Sequence, residues 1–276
     1  MSRMFKSITR TWNCYVGCYW DCQYCNAKKA AETRWKHVDR YKDGFKPHMV
    51  EKELTKTFKE GEFIFIAYMG DICFASLDEV RDIMARVRHF PKTRFLTCTK
   101  NPAMYNAWPR PLPDNLVIMT TLETNRDNKY SKAPIPFFRC QNFLAVDHPH
   151  KAVSIEPIMD FDLYPLIHWI KSINAEFIEV GADNYHNGLP EPSPEKLRQL
   201  LLHLRGVCPN VIEKDGLNRL KGGNLVKFGA AKCPKCQSAN VEPKNDKLWH
   251  CNGCGIDFDA ASVEVIPDEG KKKGGK

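Results

Sequence analysis

Short apolar runs alternate with segments of helical periodicity along most of the chain. Several of these runs are nearly continuous in apolar residues, which is typical of strands that are covered on both faces. The runs that predict strands are residues 8–13, 63–71, 94–100, 116–124, 151–159 and 176–184, with a weaker seventh at 210–216.

The segments between these runs carry the signals of helices. Ser76 and Glu79 form a capping box ahead of an apolar periodic stretch that ends near residue 89. Ser193 and Pro194 supply a cap and a first-turn proline for a later helix. Helices are also predicted over residues 47–60 and 162–173.

Repeated alternation of strand and helix predicts parallel βαβ units joined by right-handed crossovers. Periodicity alone leaves an open doubly wound sheet and a full or partial barrel as alternatives. In either fold, functional residues gather at the carboxyl ends of the strands. Polar residues at these ends favour a site there, although any one of them could simply cap a helix or bond a loop. The predicted strands end at Asn13, Gly70-Asp71, Lys100, Glu123, Glu156 and Asp183-Asn184.

Length and composition indicate a globular chain. Its 276 residues, of which 43% are hydrophobic, suffice for one substantial core and a small appendage. The apolar runs are too short to span a bilayer and the N-terminus has no secretory pattern, so we expect a cytoplasmic protein without membrane contact. The net charge of the chain is +8, and the residues before 231 carry +7 of this charge. The basic surface of the main domain could bind a polyanion, or it could be an ordinary solvated surface.

Twelve cysteines are present, and their grouping favours metal binding. Without a secretory signal, thiolates that hold metal are expected rather than disulfides. Seven cysteines form two tight groups, at 18/22/25 and 233/236/251/254. The other five are scattered: Cys14, Cys73, Cys98, Cys140 and Cys208.

Cys18, Cys22 and Cys25 form a CxxxCxxC motif that follows the first predicted strand. Three thiolates within eight residues can converge only on a small group, and iron–sulfur clusters are commonly held by four cysteines. Three therefore leave one iron open for another ligand. A zinc site, a plain electron-transfer cluster and chance spacing are the alternatives.

With the aromatic Tyr24 before its last cysteine, this motif resembles the signature of the radical S-adenosylmethionine (SAM) superfamily. The chain is most similar to the phage-associated branch, over about residues 8–216. The segments that carry the resemblance are TWNCYVGCYWDCQYCNA (11–27), FLTCTKNPAMYNAW (95–108), VSIEPIMDFD (153–162) and FIEVGADN (177–184).

The resemblance implies a partial (β/α)6 TIM-like barrel with a 4Fe–4S cluster on Cys18, Cys22 and Cys25. SAM would bind the open iron and be cleaved reductively to a 5′-deoxyadenosyl radical. An electron donor such as a ferredoxin or flavodoxin is implied, and a nucleic acid or a protein is a suitable substrate. Candidate SAM contacts, each of which could instead be structural, are Tyr24, Gly70, Asp71, Lys100, Glu123, Ser154 and Glu156.

The chain departs from the family pattern at several positions. Cys14 stands where proline is expected, and it could be a core cysteine or a hydrogen-atom donor. Asn26 stands where relatives have an aromatic residue. The Gly-Gly-Glu segment that holds the SAM amino group in the family appears only as residues 69–71, Met-Gly-Asp. Cys98 and Cys140 could face the barrel interior or be buried and inert.

Cys233, Cys236, Cys251 and Cys254 form two CxxC knuckles separated by 14 residues, close to the spacing of a zinc ribbon. Zinc is favoured over rubredoxin-like iron or an auxiliary cluster. The predicted domains are therefore a barrel over 1–229, a zinc ribbon over 230–269 and a disordered basic tail over 270–276. The ribbon either contacts nucleic acid or a partner, or serves as a stabilising appendage.

Cations alternate with aromatic residues at 34–37, Arg-Trp-Lys-His, and at 40–42, Arg-Tyr-Lys. This pattern suits nucleic-acid stacking and phosphate contact, and it also suits a solvated amphipathic segment. We predict a radical SAM enzyme that acts on a macromolecule. The alternative is a non-enzymatic, zinc-containing module that binds nucleic acid through both cysteine groups.

Overall fold

The computed structural model describes residues 7–221, 233–236, 241–243 and 248–259. The chain divides into two compact units, Met1–Lys221 and Gly222–Lys276. The predicted domain boundary after residue 229 and the predicted tail 270–276 lie outside the described residues. None of the helices in the described part of the chain is long and apolar enough to cross a membrane.

Strands and helices alternate through the first unit, as the apolar pattern predicts. In chain order the elements are β1 (Arg10–Trp12), β2 (Tyr15–Val16), α1 (Asn26–Glu32), β3 (His48–Met49), β4 (Phe63–Ile66), α2 (Leu77–His89), β5 (Arg94–Thr99), α3 (Ala103–Ala107), β6 (Leu116–Thr121), α4 (Pro136–Leu144), β7 (Lys151–Ile155), α5 (Leu163–Ile173), β8 (Phe177–Val180), α6 (Pro194–Val207) and β9 (Val211–Glu213). The second unit contains β10 (Val241–Pro243), β11 (Leu248–Cys251) and β12 (Asp257–Asp259).

One seven-stranded parallel sheet organises the first unit, in the order β1-β4-β5-β6-β7-β8-β9. Each strand pairs with the next main strand along the chain, so the order never reverses. A doubly wound sheet requires such a reversal, whereas sequential order is that of a barrel. The partial TIM-like barrel is therefore confirmed, and it carries seven strands.

Alternate side chains of the strands face two different apolar clusters. Ile64, Ile66 and Phe95 pack with the helices in the larger cluster on the outer face. Phe65, Leu96 and other residues of opposite parity form a second cluster inside the barrel. Burial on both faces explains why the strands are nearly continuous in apolar residues.

The inner face changes from apolar to polar towards the carboxyl ends of the strands. Along β5 and the residue that follows it, Leu96, Cys98 and Lys100 share this face because side chains alternate along a strand. By the same alternation, Ser154 and Glu156 share the inner face with Ala152 and lie closer than it does to the carboxyl end of β7 or just beyond it. The interior is thus closed by apolar side chains at one end and lined by polar ones at the other.

Helix α2 begins where its capping signal predicts. The Glu79 amide donates to Ser76 Oγ over 3.3 Å, and the Ser76 amide donates to Glu79 Oε2 over 2.7 Å. Two backbone donors at the helix start are thereby satisfied.

The predicted helix over 47–60 is wrong. His48–Met49 forms β3 and pairs antiparallel with β2, and a short 3-10 helix follows at Glu51–Thr55. The Trp12 indole donates to the Glu53 carbonyl over 2.8 Å, which fixes this segment against the first barrel strand. Contacts between segments distant in sequence therefore override the local helical periodicity.

Candidate active site

A cavity of about 500 Å³ opens at the carboxyl ends of the barrel strands. Its volume lies within the range of sites that bind small molecules. All three cysteines of the CxxxCxxC motif line it. The other predicted site residues that line it are Tyr24, Gly70, Asp71, Lys100, Ser154 and Glu156, whereas Glu123 lies fully buried beside it.

Each sulfur of the cysteine loop has a hydrogen-bond partner. The Trp20 amide donates to Cys18 Sγ over 3.4 Å, and Cys22 Sγ lies 3.1 Å from Ser131 Oγ. Cys25 caps α1, and its Sγ accepts from the Lys28 amide over 3.3 Å. Donors and a helix N-terminus favour the thiolate form that binds metal.

The three thiols suit a cluster better than a single ion. Within the described residues, the compact ligand group for one ion is the C-terminal one, whose four sulfurs all lie within 4.8 Å of one another. Burial raises the pKa of Cys18 and of Cys25, so without a cation both thiols would be protonated. A positively charged iron group in the cavity would offset that cost, and the donor set fits a 4Fe–4S cluster.

Gly17 and Gly70 bring the cysteine loop against the segment that follows β4. They form an isolated parallel bridge, and the Asp71 amide donates to the Gly17 carbonyl over 3.1 Å. A Cβ on Gly70 would lie 2.7 Å from that carbonyl oxygen. Glycine is therefore required at position 70 by this close approach.

Asp71 is engaged within the protein. Its Oδ2 accepts from the Trp20 indole over 2.9 Å and from the Lys100 amide over 3.0 Å. Its Oδ1 accepts from the Cys73 amide over 3.0 Å and caps a short 3-10 helix. Asp71 thus ties the cysteine loop to the ends of β4 and β5.

Glu123 is the centre of a buried charge network under the cysteine loop. Its Oε1 accepts from the Tyr24 hydroxyl over 2.5 Å and from the Lys100 ammonium. Its Oε2 accepts from Arg139 Nη1 over 2.7 Å, and Arg139 is itself buried on α4. Burial would raise the pKa of Glu123, but Arg139 and Lys100 outweigh it and lower the pKa to about 2. Both carboxylate oxygens are therefore occupied by protein groups.

A second ion pair lines the cavity beyond the ends of β7 and β9. Lys214, which follows β9, donates to Glu156 Oε2 over 2.5 Å, and both residues line the cavity. Glu156 Oε1 lies so close to Gly181 that a Cβ there would approach it to 2.6 Å. Glu156 is predictable from its position at a strand end, whereas Lys214 is not, because the strand before it is short and weakly patterned.

The scattered cysteines separate into two kinds of position. Cys98 lines the cavity, with its Sγ 3.5 Å from Thr121 Oγ1, and burial raises its pKa to about 12. Cys14 and Cys140 are fully buried in the outer apolar cluster and do not line the cavity. Their surroundings are those of inert core cysteines.

A family model described as "Protein of unknown function (DUF5131)" matches residues 5–173. This match spans more than half of the chain. The chain belongs to this family. A comparison with curated proteins gives no match.

Solved structures of spore photoproduct lyase resemble this DUF5131 member in fold. The lyase complexed with dinucleoside spore photoproduct has a TM-score of 0.52 and 8% identity, over 74% of this chain and 75% of that one. A double mutant of the lyase with bound AdoMet and dinucleoside spore photoproduct has a TM-score of 0.50 and 8% identity, over 77% and 78%. At such identity the likeness shows the fold alone.

The second unit of this DUF5131 member brings its four cysteines together. Cys233 Sγ lies 3.6 Å from Cys254 Sγ, and Cys236 Sγ lies 3.5 Å from Cys251 Sγ. Strands β10, β11 and β12 form an antiparallel sheet. Gly255, at a φ of +73°, turns the chain after the second knuckle and its amide donates to the Cys251 carbonyl. Four converging thiols fit one tetrahedral ion.

Glu179 is a buried carboxyl group deeper in the barrel. Its Oε1 accepts from Ser7 Oγ over 2.9 Å, and its Oε2 has no hydrogen-bond partner within the described residues. Burial, together with the nearby Glu156 carboxylate, raises its pKa from 4.5 to about 7. In the sequence, Glu179 is only one polar position within the predicted apolar strand 176–184.

Replacing Glu179 by glutamine is expected to stabilise the protein at pH 8 and to change little at pH 5. The raised pKa means that Glu179 ionises less readily in the folded state than in the unfolded state. The free energy of unfolding of the wild type therefore falls as the pH rises from 4.5 to about 7. The loss corresponds to about 3 kcal/mol, or a melting temperature lower by roughly 10 °C. Thermal unfolding at both pH values measures it.

The exposed Glu60 provides the control for this measurement. Glu60→Gln also removes one carboxylate, but its side chain is exposed and pairs with the exposed Lys92. Its effect should be small at both pH values. Equal stabilisation of Glu179→Gln at pH 5 and pH 8 would show that Glu179 is ionised in the folded protein.

Proposed function

We propose that this protein is a radical SAM enzyme that acts on a macromolecule. The observation that carries the proposal is the placement of three thiols from one short loop, all lining a single cavity at the carboxyl ends of a partial barrel. Bound together, a 4Fe–4S cluster and SAM would supply reductive cleavage of SAM and a 5′-deoxyadenosyl radical. The protein would position both groups and exclude water.

Cys18, Cys22 and Cys25 would hold the cluster, and neighbouring donors would stabilise their thiolates. The Trp20 amide, Ser131 hydroxyl and Lys28 amide already lie at the three sulfurs. Tyr24, between two of the ligands, is anchored to Glu123. The loop geometry is therefore fixed by the protein before the cluster binds.

The candidate SAM contacts fall into two groups. Some offer polar groups at the cavity wall, and the others are carboxylates that already accept hydrogen bonds from the protein. Lys100 faces the cavity as a cation, because Glu123 outweighs burial and keeps its pKa raised, so it is suited to the SAM carboxylate. The Ser154 hydroxyl and the backbone at Gly70 are further polar groups at the wall. The carboxylates of Asp71, Glu123 and Glu156 already accept hydrogen bonds from protein groups. We propose that the role of Glu123 is to hold Tyr24 and Lys100 in place.

Two comparisons support the proposal. The spore photoproduct lyase structure with bound AdoMet has a similar fold. The DUF5131 match, over residues 5–173, includes the first three segments on which the resemblance to the phage-associated branch rests. We extend the proposal to membership of that branch and to a ferredoxin or flavodoxin as electron donor.

The proposal is tested on full-length protein that is purified without oxygen and reconstituted with iron and sulfide. We expect about four irons per chain in addition to the C-terminal metal. Addition of dithionite and SAM should release 5′-deoxyadenosine, which is measured by mass spectrometry. Zinc at both cysteine groups, without iron, would instead favour the non-enzymatic nucleic-acid-binding module.

We further propose that the second unit is a zinc ribbon over 230–269. Four thiolates that close a tetrahedral sphere are typical of structural zinc. A small unit gains stability from such an ion that its core cannot supply. The converging sulfurs of Cys233, Cys236, Cys251 and Cys254 support this assignment.

Cys251→Ser is expected to remove about one zinc per chain and to leave the iron content unchanged. Metal analysis of the anaerobically purified full chain measures both. Cys208→Ser is the matched control, because the Cys208 thiol lies 3.3 Å from the Ala175 carbonyl and a hydroxyl can donate the same bond. Loss of iron rather than zinc in Cys251→Ser would assign an iron site to the second unit.

A further inference from the structure

The segment 26–48, which we call the basic segment, carries half of the net charge of the chain. It contains seven Lys or Arg residues and three Asp or Glu residues, a net charge of +4 out of +8. Lys28, Arg40 and Lys42 form ion pairs. Four exposed cations of the segment have no ion-pair partner in the described part of the chain: Lys29, Arg34, Lys36 and Lys46.

The basic segment also forms one wall of the cavity. The small side chains of Ala27 and Ala30, from the first helix after the cysteine loop, line it together with Trp35 and Phe45. The uncompensated cations therefore lie on the same segment that borders the cavity. Such an arrangement attracts a polyanion towards the opening.

Several aromatic side chains line the cavity. Trp35 is half-buried and nearly parallel to Tyr41, with ring centroids 6.2 Å apart and an interplanar angle of 18°. Tyr68 and Tyr185, which follow β4 and β8, also line the cavity, and Tyr185 is 57% exposed. Flat aromatic faces beside exposed cations are the combination that binds bases and phosphates together.

The size of the cavity limits what can enter it. A volume of about 500 Å³ holds small molecules and excludes a folded polymer. With the cluster and SAM of the proposed function at the cysteine end, a nucleic acid could use the remaining space only with one nucleotide turned out of its strand. Beyond the ends of β7 and β9, the cavity presents the Lys214 ammonium beside the Glu156 carboxylate, a donor and an acceptor suited to the polar edge of a base.

We propose that the substrate is a nucleic acid, single-stranded or locally opened, whose phosphates lie on the basic segment and whose target nucleotide enters the cavity. This inference rests on the proposed function and names its substrate class. Cations alone would also attract an acidic protein. The aromatic side chains that line the cavity favour bases, so a protein substrate is an outcome of the test.

The test uses the reconstituted full-length protein and fluorescein-labelled single-stranded DNA and RNA of mixed sequence. Fluorescence anisotropy at several salt concentrations should show binding that weakens as salt rises. Arg34→Glu with Lys36→Glu should weaken it at least about tenfold and reduce the salt dependence. Trp35→Ala should weaken it by about 5- to 100-fold, and Trp35→Phe should restore most of it.

Lys59→Glu with Lys92→Glu is the matched control. It changes the charge by the same amount on exposed residues that precede β4 and β5, at the amino ends of these strands, whereas the cavity lies at the carboxyl ends. It should weaken binding less than the basic-segment pair does. Equal effects of the two pairs, or no binding of either oligonucleotide, would overturn the proposal and point to a protein substrate.

Iron content and 5′-deoxyadenosine release on the same samples separate this proposal from the proposed function. The oligonucleotides should raise the release of 5′-deoxyadenosine by the wild type, and raise it less in the Arg34→Glu, Lys36→Glu variant. A loaded protein that cleaves SAM but ignores the oligonucleotides contradicts the substrate class alone. A protein that binds oligonucleotides but neither holds iron nor cleaves SAM contradicts the proposed function.

Discussion

Cys22→Ser is expected to reduce both iron content and 5′-deoxyadenosine release to background. Cys22 lies between the other two ligands, and its Sγ is 3.1 Å from Ser131 Oγ. Soft thiolates hold iron–sulfur clusters, and a hydroxyl in the same place is a poor substitute. The loss should exceed the roughly 100-fold effect of changing a group that only hydrogen-bonds a ligand.

Ser131→Ala provides that comparison within the same site. It removes the partner of the Cys22 sulfur and keeps all three thiols, so we expect a loss of about 10- to 100-fold in SAM cleavage with most of the iron retained. Cys208→Ser, outside both metal groups, should behave as the wild type. Full iron content and activity in Cys22→Ser would rule out ligation by the three-cysteine motif.

The strands could be predicted from sequence because both of their faces are buried. The predicted runs nevertheless extend beyond the observed strands, as at 63–71 against Phe63–Ile66. The chain beyond β4 stays apolar because Ala67 and Met69 are buried in loops near the cavity. Apolar character reports burial, and burial continues where strand pairing ends.

Helices could be predicted where their ends carry local signals. Ser193 caps α6 through the Lys196 amide, as the sequence indicates, whereas α4 was not predicted. Helix α4 begins at Pro136 without a side-chain cap, and it is apolar apart from a few residues. Its first-turn proline was the available signal.

The site was predictable in its ligands and positions but not in its pairings. Regular alternation places Lys100, Glu123 and Glu156 at the polar end of the barrel interior. The ion pair between Glu123 and Arg139, which is 16 residues away on α4, depends on how that helix packs. Lys214 likewise reaches Glu156 across 58 residues. Partners of this kind are set by tertiary structure, which a single sequence does not reveal.

Glu123→Gln is expected to be among the most destabilising single substitutions in the first unit. It would leave Arg139 and Lys100 as buried cations without a counterion, and removal of one member of a buried ion pair costs about 3–5 kcal/mol. The melting temperature should fall by on the order of 10 °C. Glu195→Gln, in an exposed pair with Arg198, should cost about 1 kcal/mol or less.

The second measurable effect of Glu123→Gln is on the cysteine loop. Glutamine offers one acceptor oxygen where the carboxylate offers two, so Tyr24 would compete for it with Lys100 and Arg139. Tyr24 would be held less firmly, and the iron retained per chain should fall even below the unfolding temperature. Adding Arg139→Gln removes one unpaired cation, and the double variant should therefore be more stable than the sum of the two single effects predicts. If the two losses simply add, Arg139 and Glu123 are not energetically coupled. The cysteine loop would then be held by its backbone contacts to Gly70 and Asp71 rather than by the buried charges.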